Sequence, residues 1–562
     1  MSADPLRRAI AAATRADEPE IVRQLIAEAR LPAGQFEAAA AVARRLIETL
    51  RQRRGRSGGV DALMREFSLS SSEGVALMCL AEALLRIPDA ATADALIRDK
   101  VSRGDWRAHL GRSRSLFVNA AAWGLMITGS LVATHSDEGL GRSLTQLIAR
   151  GGEPLIRKGV DLAMRLLGQQ FVTGQTIDEA LANAADRRNL GYRYTFDMLG
   201  EAALTSADAD AYLAAYRTAI AAVGDTGASA GAEAGPGISV KLSALHPRYC
   251  RAQRERVLAE LLPRLRELCL LARAQDIGLA IDAEESERLD LSLDLVERLV
   301  DDAALAGWNG LGVVVQAYQK RAPLVIDWVI ERARASGRRL SVRLVKGAYW
   351  DSEIKRAQVE GQAGYPVFTR KAYSDLCYLA CARRLIAAAD AVYPQFATHN
   401  ALTLATVREM ARAAGVSHYE FQCLHGMGET LYDQVLGADR LGVACRIYAP
   451  VGSHETLLAY LVRRLLENGS NSSFVNQILD PAIGIHELLR DPVELAAAYG
   501  GAPHPLIPLP AELFGAQRRN SAGLDLNDEP TLAALDAAFA AARKTDWRAA
   551  PLLAEPEPAA AE

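Results

Sequence analysis

Polar and charged side chains follow short apolar runs at several places between residues 230 and 450 of the chain. Runs such as GLAI and LSV lead directly into them, so each polar group stands where a buried element ends. A charge in such a position is costly to bury unless it is paired or used. Because several positions share this pattern, we interpret them as parts of one functional site. The residues are Lys241, Asp282, Gln316, Arg343, Lys346, His399 and Tyr448.

Two adjacent arginines, Arg463 and Arg464, follow the last of these runs in the segment YLVRRLLENGSN. On a helix, Tyr460 would lie one turn before the pair and Glu467 one turn after it. The planar guanidinium group matches a carboxylate through two parallel hydrogen bonds. Together with Lys241, the pair predicts a cationic pocket for a small carboxylate.

Asp282 is the natural counterion of this pocket, but the same residues leave other chemistry open. A lysine at the end of a strand, such as Lys241 or Lys346, also suits Schiff-base catalysis, so a lyase of the aldolase type is the main alternative. A non-enzymatic helical scaffold is a third. His399 has no H-x-H, H-E-x-x-H or other ligand cluster near it, so we expect a hydrogen-bonding histidine and no metal site.

The elements that must position these residues alternate between short β-branched runs and long amphipathic helices. Eight strands followed by helices predict an α/β fold with a closed (β/α)8 barrel, whose active residues stand at the carboxyl ends of the strands. An open doubly wound sheet is the alternative, and the absence of a G-x-G-x-x-G turn disfavours it. The predicted strands are YTFDML (194–199), GISVKL (237–242), IGLAID (277–282), LGVVVQ (311–316), LSVRLVKG (340–347), QFATHN (395–400), HYEFQCL (418–424) and VACRIYA (443–449).

The regions around the predicted barrel have a different composition. We expect a helical arm over 1–110, a helical domain over 111–185, the barrel over 186–480 and an extension over 481–562. The small-residue run at 224–237 predicts a flexible surface loop. Residues 116–134 carry no charge, but their polar and small residues favour a buried helix over a membrane span.

Composition excludes several classes of protein. The 562 residues include 64 basic and 68 acidic side chains, for a net charge of −4, which argues against broad nucleic-acid binding. Seven cysteines without a C-x-x-C pair argue against a disulfide framework and favour a reducing, cytoplasmic location. The first residues show no apolar signal-peptide core.

Eight motifs occur in order along the predicted barrel: KLSALHPRY (241–249), IDAEE (281–285), VQAYQK (315–320), RLVKGAYWDSEIKRAQ (343–358), ATHN (397–400), EFQCLHGMGE (420–429), RIYAPVG (446–452) and YLVRRLLENGSNSSFVN (460–476). In these motifs the sequence resembles the proline dehydrogenase domain of the bifunctional proline utilization A flavoproteins. The resemblance implies a barrel that holds FAD and oxidises L-proline to 1-pyrroline-5-carboxylate, the first step of proline catabolism to glutamate. It also implies a membrane quinone as electron acceptor and peripheral association with the inner face of the cell membrane.

The resemblance also implies roles for individual residues. Arg463, Arg464 and Lys241 resemble the clamp for the proline carboxylate, Asp282 the residue that orients that clamp, and Tyr448 its hydrogen-bonding neighbour. Tyr349, Tyr460 and Leu424 resemble pocket walls, Arg343 the arginine near the flavin N5, and Glu467 its polar support. Residues expected to line FAD are Gln316, Val345, Lys346, Gly347, Ala348, Trp350, Thr369, Arg370, Lys371, Thr398, His399, Asn400, Gln422, Cys423 and Ser473.

Two departures from the family pattern lead to further expectations. Some relatives begin with a ribbon-helix-helix DNA-binding module, whereas the first residues here already resemble the helical arm, so we expect no DNA partner. Relatives also continue into an aldehyde dehydrogenase domain, and residues 515–542 resemble the lead-in to it. We therefore expect a truncated chain whose intact form carries that domain.

Overall fold

A computed structural model describes residues 4–53, 172–188, 190–227, 230–437, 439–453, 460, 463, 474–480 and 482–549. Several residues and segments singled out above lie outside these ranges. They are the uncharged segment 116–134 and the site residues Arg464, Glu467 and Ser473.

Eight parallel strands form a closed barrel in which each strand pairs with the next along the chain and β8 pairs with β1. The predicted (β/α)8 architecture is therefore confirmed, and every predicted strand overlaps an observed one. The strands are β1 (Arg193–Met198), β2 (Gly237–Val240), β3 (Gly278–Ile281), β4 (Leu311–Gln316), β5 (Leu340–Val345), β6 (Val392–Ala397), β7 (Glu420–Leu424) and β8 (Ala444–Val451).

Helices precede, connect and follow these strands. Before the barrel the structure describes α1 (Pro5–Ala12), α2 (Glu18–Ala29), α3 (Ala33–Arg53) and α4 (Ile177–Arg188). Between the strands lie α5 (Ser206–Gly227), α6 (Gly231–Ala234), α7 (Leu242–Leu245), α8 (Arg254–Ala274), α9 (Leu289–Val300), α10 (Ala322–Ser336), α11 (Trp350–Val359), α12 (Lys371–Ala387), α13 (Ala401–Ala413) and α14 (Glu429–Tyr432). After the barrel come α15 (Phe474–Leu479), α16 (Ile485–Leu488), α17 (Pro492–Ala498) and α18 (Glu529–Ala542).

The first three helices wrap the outside of the barrel, as the predicted helical arm requires. Helices α1, α2 and α3 pack against α10, α12 and α13, respectively. Asp4 and Asp17 cap α1 and α2 by accepting hydrogen bonds from backbone N–H groups of the first turn. Apolar residues at helical spacing, such as Val22 and Leu25, are buried beneath the arm.

The expected flexible loop at 224–237 is wrong in its described part. Helix α5 continues to Gly227, and α6 adds a helical turn at 231–234 before β2 begins. Alanine has the highest helix propensity, so a run of small residues can extend a helix when the neighbouring elements support it. In α6, Glu233 forms an ion pair with Arg339 at 3.5 Å, and this contact links the turn to the residue that precedes β5.

The interior of the barrel is polar at the amino ends of the strands. We call the residues that meet there the N-terminal cluster: Arg193, Tyr393, Gln395, Glu420 and Arg446. Glu420 is fully buried and accepts hydrogen bonds from Arg446 Nε at 2.6 Å, Gln395 Nε2 at 2.9 Å and Arg193 at 3.0 Å. The Tyr393 hydroxyl also lies 3.3 Å from Glu420 Oε2. This cluster closes one end of the barrel with a network centred on one carboxylate.

Candidate active site

A second polar group occupies the interior at the opposite, carboxyl end of the barrel. We call it the C-terminal cluster: Asp197, Lys241, Asp282, Arg343 and Tyr448. Arg343 donates to Asp282 Oδ1 at 2.7 Å, and the Tyr448 hydroxyl donates to Asp282 Oδ2 at 2.7 Å. Arg343 lies on β5, Asp282 directly follows β3 and Tyr448 lies on β8. No two of these three strands pair with each other, so the contacts cross the barrel. The structure therefore brings together four of the residues that the sequence placed at strand ends.

Asp197 is the member that sequence reasoning missed. It lies near the end of β1, is fully buried, and its Oδ2 atom is 2.6 Å from Lys241 Nζ. Asp282, the expected counterion, is 3.5 Å from the same ammonium group. The cluster thus contains two pairs, Asp197 with Lys241 and Asp282 with Arg343. The signal for Asp197 was a carboxylate within the apolar run YTFDML.

The surroundings of Asp197, Lys241 and Tyr448 shift their pKa values for different reasons. Burial raises the pKa of Asp197, and the nearby Lys241 lowers it by less. Burial opposes charge on Lys241, but Asp197, Tyr448 and Asp282 outweigh it, so the pKa of the ammonium lies well above its usual value. Burial also raises the pKa of Tyr448 well above its usual value. Lys241 is therefore an ammonium group and Tyr448 a neutral phenol at neutral pH.

Arg463 approaches this cluster from the segment after β8. Its guanidinium donates to Glu201 Oε1 at 2.7 Å and Oε2 at 2.8 Å, and it lies 5.0 Å above the Tyr349 ring. Burial would raise the pKa of Glu201, but the fork of Arg463 and the charge of Lys241 hold it below the usual value. Glu201 was not singled out from sequence, because it follows β1 in a connection without any recognisable motif. Tyr460, three residues before Arg463 in the sequence, is also buried.

Gln316 and Lys346 end neighbouring strands β4 and β5. Gln316 is buried and accepts a hydrogen bond from Gln319 Nε2 at 2.8 Å. Lys346 Nζ lies 2.5 Å from Asp375 Oδ1, and Lys371 binds the same carboxylate at 2.7 Å. Burial opposes charge on Asp375, but the two lysines lower its pKa to about 2. The structure therefore joins two of the expected cofactor-lining lysines through one carboxylate.

Four more of these residues lie at the turn after β5: Val345 ends the strand, Gly347 and Ala348 lie in the loop, and Trp350 begins α11. Gly347 has a φ of +123°, and a Cβ atom there would lie 2.5 Å from the ring of Tyr318, so only glycine suits this turn. The indole of Trp350 donates to the carbonyl of Phe368 at 2.8 Å. This contact holds the start of α11 against the segment between α11 and α12.

Thr369 and Arg370 meet the N-terminal arm and the extension after the barrel. The backbone and hydroxyl groups of Thr369 donate to Glu18 Oε1 at 3.0 and 2.8 Å. Arg370 donates to the carbonyl of Ala502 at 2.8 Å and lies 4.2 Å above the Tyr499 ring. Their described partners are thus structural, and their expected contact with a cofactor stays a prediction.

Thr398, His399 and Asn400 follow β6. His399 Nε2 accepts a hydrogen bond from the backbone of Leu424 at 3.0 Å, and the side chain of Asn400 caps α13. On β7, Gln422 donates to Glu420 at 3.0 Å, while Cys423 Sγ lies 3.9 Å from Cys445 Sγ. Among the described residues no group of three potential metal ligands occurs.

The buried polar atoms without a hydrogen-bond partner among the described residues include Asp197 Oδ1, Arg343 Nε and Gln422 Oε1, which lie on strands of the barrel. Buried polar groups in folded proteins are almost always hydrogen-bonded. Both donors and acceptors are represented, so the interior of the barrel suits a ligand that carries both.

More than half of the chain, residues 180–477, matches a family model described as "Proline dehydrogenase". The chain belongs to the proline dehydrogenase family. Residues 4–51 match a second model, "Proline utilization A proline dehydrogenase N-terminal domain". The recognition of the family from its motifs is therefore confirmed.

Curated relatives agree with this assignment. The chain is 60% identical to "Bifunctional protein PutA" of Escherichia coli (strain K12) over 98% of its own length and 43% of that protein. It is 57% identical to the PutA of Rhizobium meliloti, of which it covers 45%. A more distant relative, proline dehydrogenase 1 of Bacillus subtilis (strain 168), is 25% identical over 55% of the chain and 90% of that protein. The chain therefore spans less than half the length of these two curated PutA relatives.

Solved structures of proline utilization A have the same architecture. One structure of the bifunctional protein aligns with a TM-score of 0.75 at 47% identity, covering 96% of this chain and 53% of that one. A variant of the Bradyrhizobium japonicum protein aligns with a TM-score of 0.72 at 48% identity, covering 93% and 52%.

The expectation of no DNA partner conflicts with a third match. Residues 59–171 match a model described as "DNA-binding domain of Proline dehydrogenase", so the expectation that the chain lacks such a module is wrong for this segment. The net charge of −4 is a sum over all 562 residues and does not report on the charge of one segment. These residues lie outside the described ranges. Within those ranges, no helix is both long and apolar enough to span a bilayer.

Proposed function

We propose that the chain oxidises L-proline to 1-pyrroline-5-carboxylate, with bound FAD as the first electron acceptor, in the first step of proline catabolism to glutamate. The observation that carries this proposal is the C-terminal cluster. It places two cationic groups, Lys241 and Arg343, at the carboxyl end of the barrel. Active sites of (β/α)8 barrels lie at this end. Such a site suits a small amino acid whose carboxylate needs a cationic partner.

The residues present fit an FAD cofactor. The edge of a flavin ring presents both hydrogen-bond acceptors and a donor, and the interior of the barrel holds an unpartnered donor, Arg343 Nε, and an unpartnered acceptor, Gln422 Oε1. When bound, FAD supplies the two-electron acceptor that amine oxidation needs. The residues that would hold it are Gln316, Arg343, Val345, Lys346, Gly347, Ala348, Trp350, Thr369, Arg370, Lys371, Thr398, His399, Asn400, Gln422, Cys423, Glu467 and Ser473.

The substrate carboxylate would bind to Lys241 and Arg463, with Arg464 as the third member of the clamp. Since Glu201 already fills the fork of Arg463, the substrate carboxylate must compete with that of Glu201. Such an exchange keeps Arg463 paired in both states and avoids an isolated buried charge. Tyr349, Tyr460 and Leu424 would form the apolar walls around the ring.

Asp282 would orient neighbouring side chains rather than bind the substrate. It holds Arg343 through Oδ1 and Tyr448 through Oδ2, so one carboxylate orients a cation and a phenol at fixed distances. Holding groups in such a geometry lowers the entropic cost of reaction.

The same contacts argue against the Schiff-base alternative. A lysine nucleophile must lose its proton, and burial beside another cation or in an apolar pocket normally achieves this. Lys241 instead faces two carboxylates, which raise its pKa, and Lys346 is paired with Asp375. Both ammonium groups therefore favour electrostatic binding over imine formation.

The remaining partners are those of the intact relatives. We propose that electrons pass from the flavin to a membrane quinone, and that the protein works in the cytoplasm or at the inner face of the cell membrane. We also propose that the intact protein carries an aldehyde dehydrogenase domain. The PutA relatives are called bifunctional, and this chain covers 43% of the Escherichia coli protein.

Spectroscopy and turnover of the purified chain test the proposal together. We expect the yellow absorption of oxidised flavin, bleaching of that absorption by L-proline without oxygen, and a product that o-aminobenzaldehyde traps. A colourless protein that borohydride cross-links to a carbonyl compound would instead support the lyase. A yellow protein that proline does not bleach would contradict the substrate assignment.

A further inference from the structure

Oxidation of a cyclic amino acid releases a proton as well as a hydride. Proline binds as a zwitterion whose ring nitrogen carries two protons, and the nitrogen lone pair is needed when hydride leaves the adjacent carbon. One proton must therefore pass to the protein. The proposal that follows rests on the proposed function and concerns the destination of that proton.

Asp282 is a poor acceptor because its oxygens are already engaged by donors. Arg343 donates to Oδ1 at 2.7 Å, Tyr448 donates to Oδ2 at 2.7 Å, and Lys241 lies 3.5 Å away. A proton on this carboxylate would break at least one charge-assisted hydrogen bond.

Asp197 is also paired with a cation, but only one of its two oxygens has a hydrogen-bond donor among the described residues. Its described partner is Lys241, at 2.6 Å from Oδ2, while Oδ1 is buried and has no hydrogen-bond partner among the described residues. The other titratable groups around it are Tyr448, Asp282 and Tyr216 of α5, and Arg343 is paired with Asp282. Among these groups it is the carboxylate that keeps one oxygen without a donor, so it can take a proton and still accept a hydrogen bond.

We propose that Asp197 stores the proton that the substrate amine loses, and that Lys241 passes this proton to it. In one concerted transfer, the Lys241 ammonium gives a proton to Asp197 Oδ2 and takes one from the substrate nitrogen. Lys241 is an ammonium group before and after the step, Asp197 becomes a carboxylic acid, and the substrate becomes a neutral amine. Hydride then leaves the ring carbon for the electron acceptor, and the product is the protonated imine.

The electrostatics of the free site agree with both ends of this transfer. Lys241 stays charged because two carboxylates face it, while burial raises the pKa of Asp197 despite the adjacent ammonium. In proline the nitrogen and the carboxylate are bonded to the same carbon. A cation that meets the carboxylate therefore also lies beside the nitrogen.

Asp197→Asn tests the proposal, because it keeps the shape of the side chain and removes its ability to take a proton. We expect kcat/KM for L-proline to fall by roughly 100-fold or more at neutral pH, because a general base usually contributes at least this factor to the rate. The deficit should shrink by about tenfold for each pH unit above neutrality, because the solvent then removes the proton instead. Binding of cyclopentanecarboxylate, which has no ring nitrogen, should stay within threefold of wild type.

Glu420→Gln is the matched control, since Glu420 is also a buried carboxylate paired with a cation inside the barrel. It should leave the pH profile of turnover unchanged. A deficit in Asp197→Asn that is equal at every pH would overturn the proposal and leave Asp197 a structural partner of Lys241.

Infrared spectroscopy of the wild-type holoenzyme does not depend on the folding of a variant. With the flavin reduced beforehand, proline can bind without being oxidised, and we expect a new carbonyl stretch from a protonated carboxylic acid. Absence of this band on proline binding would also count against the proposal. If wild-type protein does not oxidise proline at all, the proposed function fails instead, and the two failures are therefore distinguishable.

Discussion

The two ends of the barrel interior hold buried carboxylates of the same kind in opposite electrostatic states. In the N-terminal cluster, Arg446 and Arg193 outweigh the effect of burial and hold the pKa of Glu420 below its usual value. In the C-terminal cluster, burial outweighs Lys241 and raises the pKa of Asp197. The number of donors around each carboxylate accounts for the difference.

Glu420 receives hydrogen bonds on both oxygens, and its partner Arg446 is equally satisfied. Arg446 also donates to the backbone carbonyls of Tyr194 at 3.0 Å, Gly235 at 2.7 Å and Glu233 at 2.6 Å. Asp197 and Arg343 each keep an unpartnered atom. A saturated network stabilises the fold, whereas unsatisfied polar atoms persist where a ligand is to be bound.

The largest effect should come from Glu420→Gln. It leaves Arg446 without its ionic partner in the interior, and removing one member of a buried pair costs about 3–5 kcal/mol. The free energy of unfolding, measured in urea, should fall by that amount, whereas Asp197→Asn should cost less because Asp282 still faces Lys241.

The double variant Glu420→Leu with Arg446→Met supplies the control. It removes both charges, so it should lose less stability than the sum of the two single variants. Strict additivity would show that the pair does not act as a unit.

Asp282→Asn should affect activity more than stability. It weakens the hydrogen bonds that hold Arg343 and Tyr448 in place. Misplacement of such groups lowers kcat/KM by roughly 100-fold. Steady-state turnover with L-proline measures the loss, and the urea midpoint should shift less than for Glu420→Gln. A loss of stability without loss of turnover would remove the distinction between the two ends of the barrel.

The pH dependence of stability should have opposite signs at the two ends. The depressed pKa of Glu420 contributes stability that is present above its usual value of 4.5 and is lost as pH falls through the folded value. The difference between wild type and Glu420→Gln should therefore narrow on acidification, by up to ~1.4 kcal/mol per pH unit.

The raised pKa of Asp197 acts in the other direction. Its contribution is fully present below the unfolded value and is lost as pH rises through the folded value. Wild type should therefore gain stability relative to Asp197→Asn on acidification. Urea unfolding at several pH values measures both slopes, and equal signs would contradict the comparison.

The smallest effect should follow Glu18→Gln in the helical arm. Burial raises the pKa of Glu18, its nearest cation Lys320 lies 3.8 Å away, and glutamine keeps an oxygen for Thr369. We expect a loss of about 1 kcal/mol or less in the free energy of unfolding. Glu18→Ala, which removes the acceptor, should cost more and provides the comparison.

Local sequence patterns were enough to predict much of the fold. Apolar runs followed by polar residues located all eight strands, and the family motifs located Lys241, Asp282, Arg343 and Tyr448 at one end of the barrel. The prediction for 224–237 was wrong because packing, which a local pattern does not report, can extend a helix through small residues.

Residue type and position along the chain determined which groups stand at the carboxyl ends of the strands, because alternation along a strand and the direction of a parallel barrel are local properties. Only the tertiary structure decided which charges pair. Lys241 belongs with Asp197 and Arg463 with Glu201, across distances of 44 and 262 residues in sequence. Pairing depends on barrel closure and on the position of each side chain within the interior, and neither is encoded in a short window of sequence.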